Sequence, residues 1–218
     1  MSYASLVHIP AGRATVEGML ELPDEAVGLV LFAHGSGSSR HSPRNNFVAG
    51  VLRAAKVGTL LMDLLTPEED IDYARRFDIG LLTRRLLDAA RWVAEQGTTK
   101  SLPLGFFGAS TGAAAALEAA AALGPQARAV VSRGGRPDLA SPQALASVCA
   151  PTLLLVGGYD DVVIDLNQQA YDRLRCKKEL VIVPGATHLF EEPGTLEAVA
   201  TRAAGWFAEH LPAASPRL

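Results

Sequence analysis

The sequence predicts an α/β protein built on a mostly parallel sheet with helices on both faces. Three observations carry this. Short β-branched apolar runs recur along the chain, longer segments of helical spacing separate them, and most of the runs are apolar throughout, as strands buried on both faces must be. Connections are too short to enclose a second unit and no internal repeat is visible, so residues 1–218 read as one domain.

Taken in order, residues 15–22 alternate and predict an early antiparallel strand. Residues 27–33 (Val-Gly-Leu-Val-Leu-Phe-Ala) are a continuous apolar run, hence a central strand; 44–55 have helical spacing, and 57–62 form the next strand, ending at Asp63. Residues 66–77 turn from acidic to basic without a period and read as an excursion over the sheet's carboxyl edge, where Tyr73 and Phe77 could form a short lid. A long amphipathic helix is expected over 79–95, with Leu82, Leu86, Ala89 and Val93 on one face. A strand at 102–107 then leads into a helix at 111–123 that Gly124-Pro125 stops. Strands at 127–132, 152–156 and 180–183 and helices at 163–174 and 196–210 follow, and Ala213 to Arg217 read as a frayed tail.

Composition excludes several classes. Twenty basic against 23 acidic residues leave a net charge of -3, which argues against a nucleic-acid partner or a polybasic membrane surface. Two cysteines, Cys149 and Cys176, make no disulfide framework, and no Cys/His spacing suggests a metal or other cofactor. Both precede strands at the sheet's amino edge, away from where ligands bind, and read as buried or inert thiols. No basic flank with a long apolar run opens the chain, and the apolar stretch 113–123 is short and holds Glu118, so neither a signal peptide nor a membrane span is expected. The expectation is a cytoplasmic protein acting on a small molecule, as a monomer or homodimer.

The sharpest local feature is Gly108-Ala109-Ser110-Thr111-Gly112, a G-x-S-x-G placed where a buried strand gives way to a helix. A serine on such a turn is pushed out of the sheet, and the helix N-terminus behind it offers free N–H groups to a developing oxyanion. Its hydroxyl needs a general base, and the base needs an acid to hold its tautomer. His188 lies on the loop after the strand at 180–183; of the other histidines, His8, His34 and His41 precede the serine and His210 lies near the chain end. Asp160 follows the strand at 152–156 and leads the candidates for the acid, with its neighbour Asp161 and then Asp138 as alternatives; the aspartate not used would cap the helix near Val163. The loop His34-Gly35-Ser36-Gly37, after the early central strand, offers the second oxyanion donor: Ser36 N–H pairs with Thr111 N–H, with Gly37 as the substitute. The same loop lacks the Lys-Ser/Thr and third glycine of nucleotide-binding motifs.

Together with Gly157-Gly158-Tyr159-Asp160 and Gly185-Ala186-Thr187-His188-Leu189-Phe190, these motifs make the chain resemble the α/β-hydrolase superfamily, and within it the dienelactone hydrolase-like group, from about residue 16 to 210. The resemblance implies an α/β-hydrolase fold with a roughly eight-stranded sheet, little or no cap, and Asp160 as the acid of a Ser-His-Asp triad. Dienelactone hydrolase proper uses a cysteine nucleophile where Ser110 stands, so the resemblance points to ordinary ester, lactone or thioester hydrolysis. An acyltransferase using the same triad, or a binding protein without catalysis, is the alternative. Four arginines, Arg40, Arg44, Arg133 and Arg136, are expected on the rim of the active edge, either as a fork for a substrate carboxylate or as ion pairs of loops.

Overall fold

The computed structural model describes residues 2–212. The chain opens with a hairpin that the sequence reading only half anticipated: β1 (Tyr3–Ala11) pairs along its whole length with β2 (Ala14–Leu22). The two-residue turn takes Gly12 at φ +67°, the conformation a tight hairpin needs from glycine. In β1 only Val7, Ile9 and Ala11 are buried, an alternation confined to the second half of the strand, with Pro10 on its exposed face. The fully buried β3 (Leu29–Ala33) leads into α1 (Pro43–Ala54), which Ser42 caps by accepting from the Asn45 N–H. The next strand, β4 (Gly58–Met62), is followed by the excursion, which contains α2 (Pro67–Asp70), with a Thr66–Glu69 capping box, and a 3₁₀ turn at Tyr73–Phe77. Next come α3 (Ile79–Glu95), β5 (Leu104–Ala109) and α4 (Thr111–Leu123), both helices with the predicted bounds.

After β6 (Ala127–Arg133) comes α5 (Pro142–Ser147), a short helix that sequence reading missed although Ser141-Pro142 is a good N-terminal signal. The chain continues through β7 (Thr152–Gly157), α6 (Asp161–Arg173), β8 (Lys178–Val183) and α7 (Thr195–His210). The predicted frayed tail from Ala213 lies outside the described residues.

All eight strands form one sheet in the order β1-β2-β4-β3-β5-β6-β7-β8, parallel from β4 to β8, with the β1–β2 hairpin antiparallel at one edge. One face packs under α1 and α7 around Phe32, Phe107 and Phe207, the first two rings stacked at 4.8 Å. The other packs under α3 and α4, whose alanines, Ala113 to Ala116, are completely buried and let α4 lie close to the strands. The parallel arrangement brings the ends of β3, β5, β6, β7 and β8 to one edge, so loops distant in sequence share it. No helix among the described residues is long and apolar enough to cross a membrane.

Candidate active site

Ser110 sits between β5 and α4 at φ +51° and ψ −123°, a conformation that costs a non-glycine residue about 1–3 kcal/mol. The surrounding backbone enforces it. Ser110 N–H donates to Arg133 O (3.3 Å), and its carbonyl accepts from the Ala113 N–H (3.1 Å) and the Arg136 N–H (3.0 Å). The flanking glycines are steric necessities: a Cβ at position 108 would lie 2.4 Å from Ala113 Cα, and one at 112 would lie 2.2 Å from Ala33 O. The turn therefore exists because α4 is pressed against β3 and β5 at contacts no side chain could occupy.

His188, after β8, shows its Nδ1 to Asp160 Oδ2 at 2.6 Å. An ionised carboxylate only accepts, so the proton of neutral His188 lies on Nδ1 and Nε2 is left basic. The two loops are interlocked. A Cβ at Gly157 would fall 2.5 Å from Ala186 O and 2.6 Å from Thr187 O, so glycine there lets the histidine loop cross the acid loop. Tyr159 N–H then donates to Ala186 O at 2.9 Å. A clamp that sequence reading overlooked holds the other side: Thr187 donates from its hydroxyl (2.6 Å) and its N–H (3.0 Å) to the Glu192 carboxylate. Those two bonds hold the Glu192 carboxyl below the usual carboxylate range.

Ser110 and His188 open onto the same cavity of about 250 Å³, shared with Gly35 and Ser36 of the loop after β3. That loop lies against the serine: a Cβ at Gly35 would come within 3.0 Å of Ser110 Cβ. Ser36, Gly37 and Thr111 line an adjoining narrow crevice together with Asp70 and Arg76 of the excursion. Among the described residues, neither the Ser36 nor the Thr111 N–H meets an acceptor from the protein. His34, set aside in the sequence because it precedes the serine, anchors the loop from inside. It donates from Nδ1 to Gly35 O (2.9 Å), and its Nε2 accepts the Leu64 N–H (3.0 Å). Desolvation pushes the His34 pKa down, so it remains neutral.

Several expectations are corrected. Asp160, not Asp161, occupies the N-cap position of α6, with its side chain spent on His188 instead of the helix; Asp161 is the first helical residue. Asp138 is held in a two-bond pair with Arg136 (both 2.8 Å), which removes both as free groups. Arg40 is bound to Asp63 and Glu17 and pins the loop to the end of β4 and to β2. Of the four arginines only Arg44 and Arg133 line the cavity. Cys149 is exposed, not buried; Cys176 is half-buried, and burial pushes its thiol pKa up. Among the described residues no group of three or more His, Cys, Asp or Glu is placed to hold a metal ion. A larger groove of about 700 Å³ lies at the opposite, amino edge, between the ends of α3 and α4, and none of these residues lines it.

No family model matches the chain. Over 205 residues, 94% of its length, it is 60% identical to proteins from two strains of Mycobacterium tuberculosis that are provisionally named phosphoribosyl transferases. It spans only 46% of the length of those curated relatives. Among solved structures it is similar to a dienelactone hydrolase from Anabaena variabilis, with 54% identity and a TM-score of 0.93, covering 96% of this chain and 99% of that one. Est1E from Butyrivibrio proteoclasticus shares the fold at 15% identity (TM-score 0.80, 94% of this chain and 98% of that one). So does an α/β serine hydrolase without a lid from Xanthomonas campestris at 20% identity (TM-score 0.76, 97% of each chain).

Proposed function

The chain belongs to the dienelactone hydrolase-like group of the α/β-hydrolase superfamily, and from that premise we propose that it is a serine hydrolase of small carboxylic esters, lactones or thioesters. One observation carries the reading: His188 is held through Nδ1 by Asp160 at 2.6 Å while His188 and Ser110 open onto one cavity. In this reading Ser110 Oγ attacks the acyl carbon and His188 Nε2 takes the hydroxyl proton. Asp160 keeps the ring in the tautomer that makes Nε2 the base and stabilises the imidazolium that forms. The carbonyl oxygen, now negative, receives the Ser36 and Thr111 N–H groups; the lack of any protein acceptor for either supports this role. His188 passes its proton to the leaving oxygen or sulfur, the acyl bond breaks, and a water deprotonated by the same nitrogen releases the acid from Ser110.

The longer relatives' provisional name describes proteins more than twice the matched length. Cavity size favours short acyl groups. Labelling with a fluorophosphonate probe tests the reading: Ser110 should be the modified residue, and 4-nitrophenyl ester turnover should vanish with it. Folded protein that leaves Ser110 unlabelled and turns over no ester overturns it.

A further inference from the structure

Arg133 ends β6, beside the serine turn, and is 7% exposed. Among the described residues no carboxylate pairs with its guanidinium, and its Nε is buried without a hydrogen-bond partner. Its one side-chain contact of note is the Phe190 ring, 5.8 Å from the guanidinium carbon. Burial, with Arg44 nearby, lowers its pKa to about 10, which leaves it charged at neutral pH. A buried cation without a counter-charge is costly, and chains rarely keep one unless something arrives to neutralise it.

The second cation comes from another element. Arg44, in the first turn of α1, lines the same cavity. One of its nitrogens reaches Glu191 at 2.9 Å, but its Nε is buried and unpartnered, and the Glu191 side chain is 62% exposed, so its attraction is screened by solvent. Asn45 is 3% exposed with one amide atom unpartnered, and a flip of that amide presents a donor. The 12-residue α1 adds its positive end, because Ser42, Arg44 and Asn45 all line the cavity.

We propose that Arg133 and Arg44 form an oxyanion subsite beside Ser110, and that the substrate carries a doubly charged phosphoryl or phosphonyl group within a few bonds of its reacting carbonyl. Two features favour this class over a carboxylate. A single negative charge offsets Arg133 alone, and a second is needed to match Arg44 and the helix end. The donors also come from two separate elements, the end of β6 and the first turn of α1, and a ligand with three tetrahedral oxygens can engage both more readily than one with the two coplanar oxygens of a carboxylate. The subsite rests on the hydrolase reading only for where the reacting carbonyl lies; the binding of the anion does not depend on it.

The test is calorimetric titration of the folded chain with inorganic phosphate, with acetate as comparator, beside kinetics on two esters. Phosphate should bind wild type and Ser110→Ala alike, and Arg133→Gln should weaken it about tenfold or more. The kcat/KM for 4-nitrophenyl 3-phosphonopropanoate should exceed that for 4-nitrophenyl propanoate by about tenfold or more, and that ratio should collapse in Arg133→Gln. Should Arg133→Gln fail to fold, Arg44→Gln carries the test, with a loss of phosphate affinity of about threefold or more. No phosphate binding to the wild type, or binding unchanged in these variants, overturns the subsite; acetate binding as tightly as phosphate overturns the phosphoryl class. Phosphate binding without any ester turnover sinks the hydrolase reading and leaves the subsite standing.

Discussion

Asp160 accepts a hydrogen bond from His188 Nδ1–H at 2.6 Å, and in doing so it gives up the cap of its own helix. Its position at the start of α6 suits an aspartate that caps, yet no capping bond is made by its side chain. Replacement by asparagine therefore costs little stability, since asparagine tolerates the same backbone and can cap. It removes the charge that holds the imidazole and lets the ring adopt the other tautomer. Asp160→Asn should keep its melting temperature within a few degrees and lose roughly 10³- to 10⁴-fold in kcat on a 4-nitrophenyl ester. Asp161→Asn should stay within about threefold of wild type, since that carboxylate only favours the helix N-terminus.

The serine turn depends on empty space. At Gly112 a Cβ would stand 2.2 Å from Ala33 O and 2.5 Å from His34 O, both backbone atoms that cannot swing aside. Gly112→Ala should cost about 3 kcal/mol or more, measured by urea unfolding, and should lower activity further by lifting α4 off the loop that carries Ser36. Gly205, inside α7, is the opposite case: nothing lies within 4 Å of its added Cβ. Gly205→Ala should stabilise the chain by roughly 0.5–1 kcal/mol.

These contrasts show what the sequence made legible. The apolar runs of β3 to β7 and the full spans of α3 and α4 could be read directly, because buried strands and amphipathic helices leave a periodic trace. Ser110, between Gly108 and Gly112, and His188, three residues after Gly185, are the candidates the sequence singles out, and both open onto the cavity of about 250 Å³. Asp160 over Asp161 needed either the family pattern or the loop crossing at Gly157, which is a tertiary contact. The fate of the arginines was not legible at all. Arg40 meets Asp63 and Glu17, each 23 residues away, whereas among the described residues Arg133 meets no carboxylate, and nothing local distinguishes the two. An arginine at a strand end reads as exposed; here it is buried, with the ring of Phe190, a residue 57 positions later held at φ +55°, lying 5.8 Å from its guanidinium carbon.

His34 makes stability depend on pH. Its folded pKa lies below the ordinary imidazole value of 6.5 because it is desolvated, so the unfolded chain binds a proton that the folded chain refuses. Stability conferred by neutral His34 is full above pH 6.5, declines as pH falls below it, and levels off below the folded pKa. The slope is at most about 1.4 kcal/mol per pH unit for one proton. Urea midpoints between pH 7.5 and 5.5 should fall for wild type, while His34→Gln should start lower, from the lost bonds to Gly35 and Leu64, and fall less steeply. His210 is also pushed down by desolvation and contributes with the same sign, so His210→Gln serves as the control. Equal slopes in wild type and His34→Gln would remove His34 from this account.

In the proposed hydrolase, Glu192 acts through the histidine loop without touching substrate. It is half-buried, and both of its carboxylate oxygens are engaged by Thr187, the residue next to His188. Severing that clamp leaves the bond to Asp160 intact but frees the loop that carries His188 on the cavity shared with Ser110, and in the proposed mechanism an ångström of drift at the reacting nitrogen costs up to about 100-fold. Glu192→Ala should therefore lower kcat by roughly 10- to 100-fold with little change in KM, because the cavity walls that bind substrate are unaltered. Glu192→Gln keeps an acceptor for the Thr187 hydroxyl and should recover most of the loss. The carboxylate is held below its usual range by those two bonds, so the clamp persists on acidification to about pH 4.5 and is released only as pH falls through its lowered pKa. A Glu192→Ala variant that loses affinity instead of turnover, or that the glutamine does not rescue, would show that Glu192 supports the cavity wall and not the aim of His188.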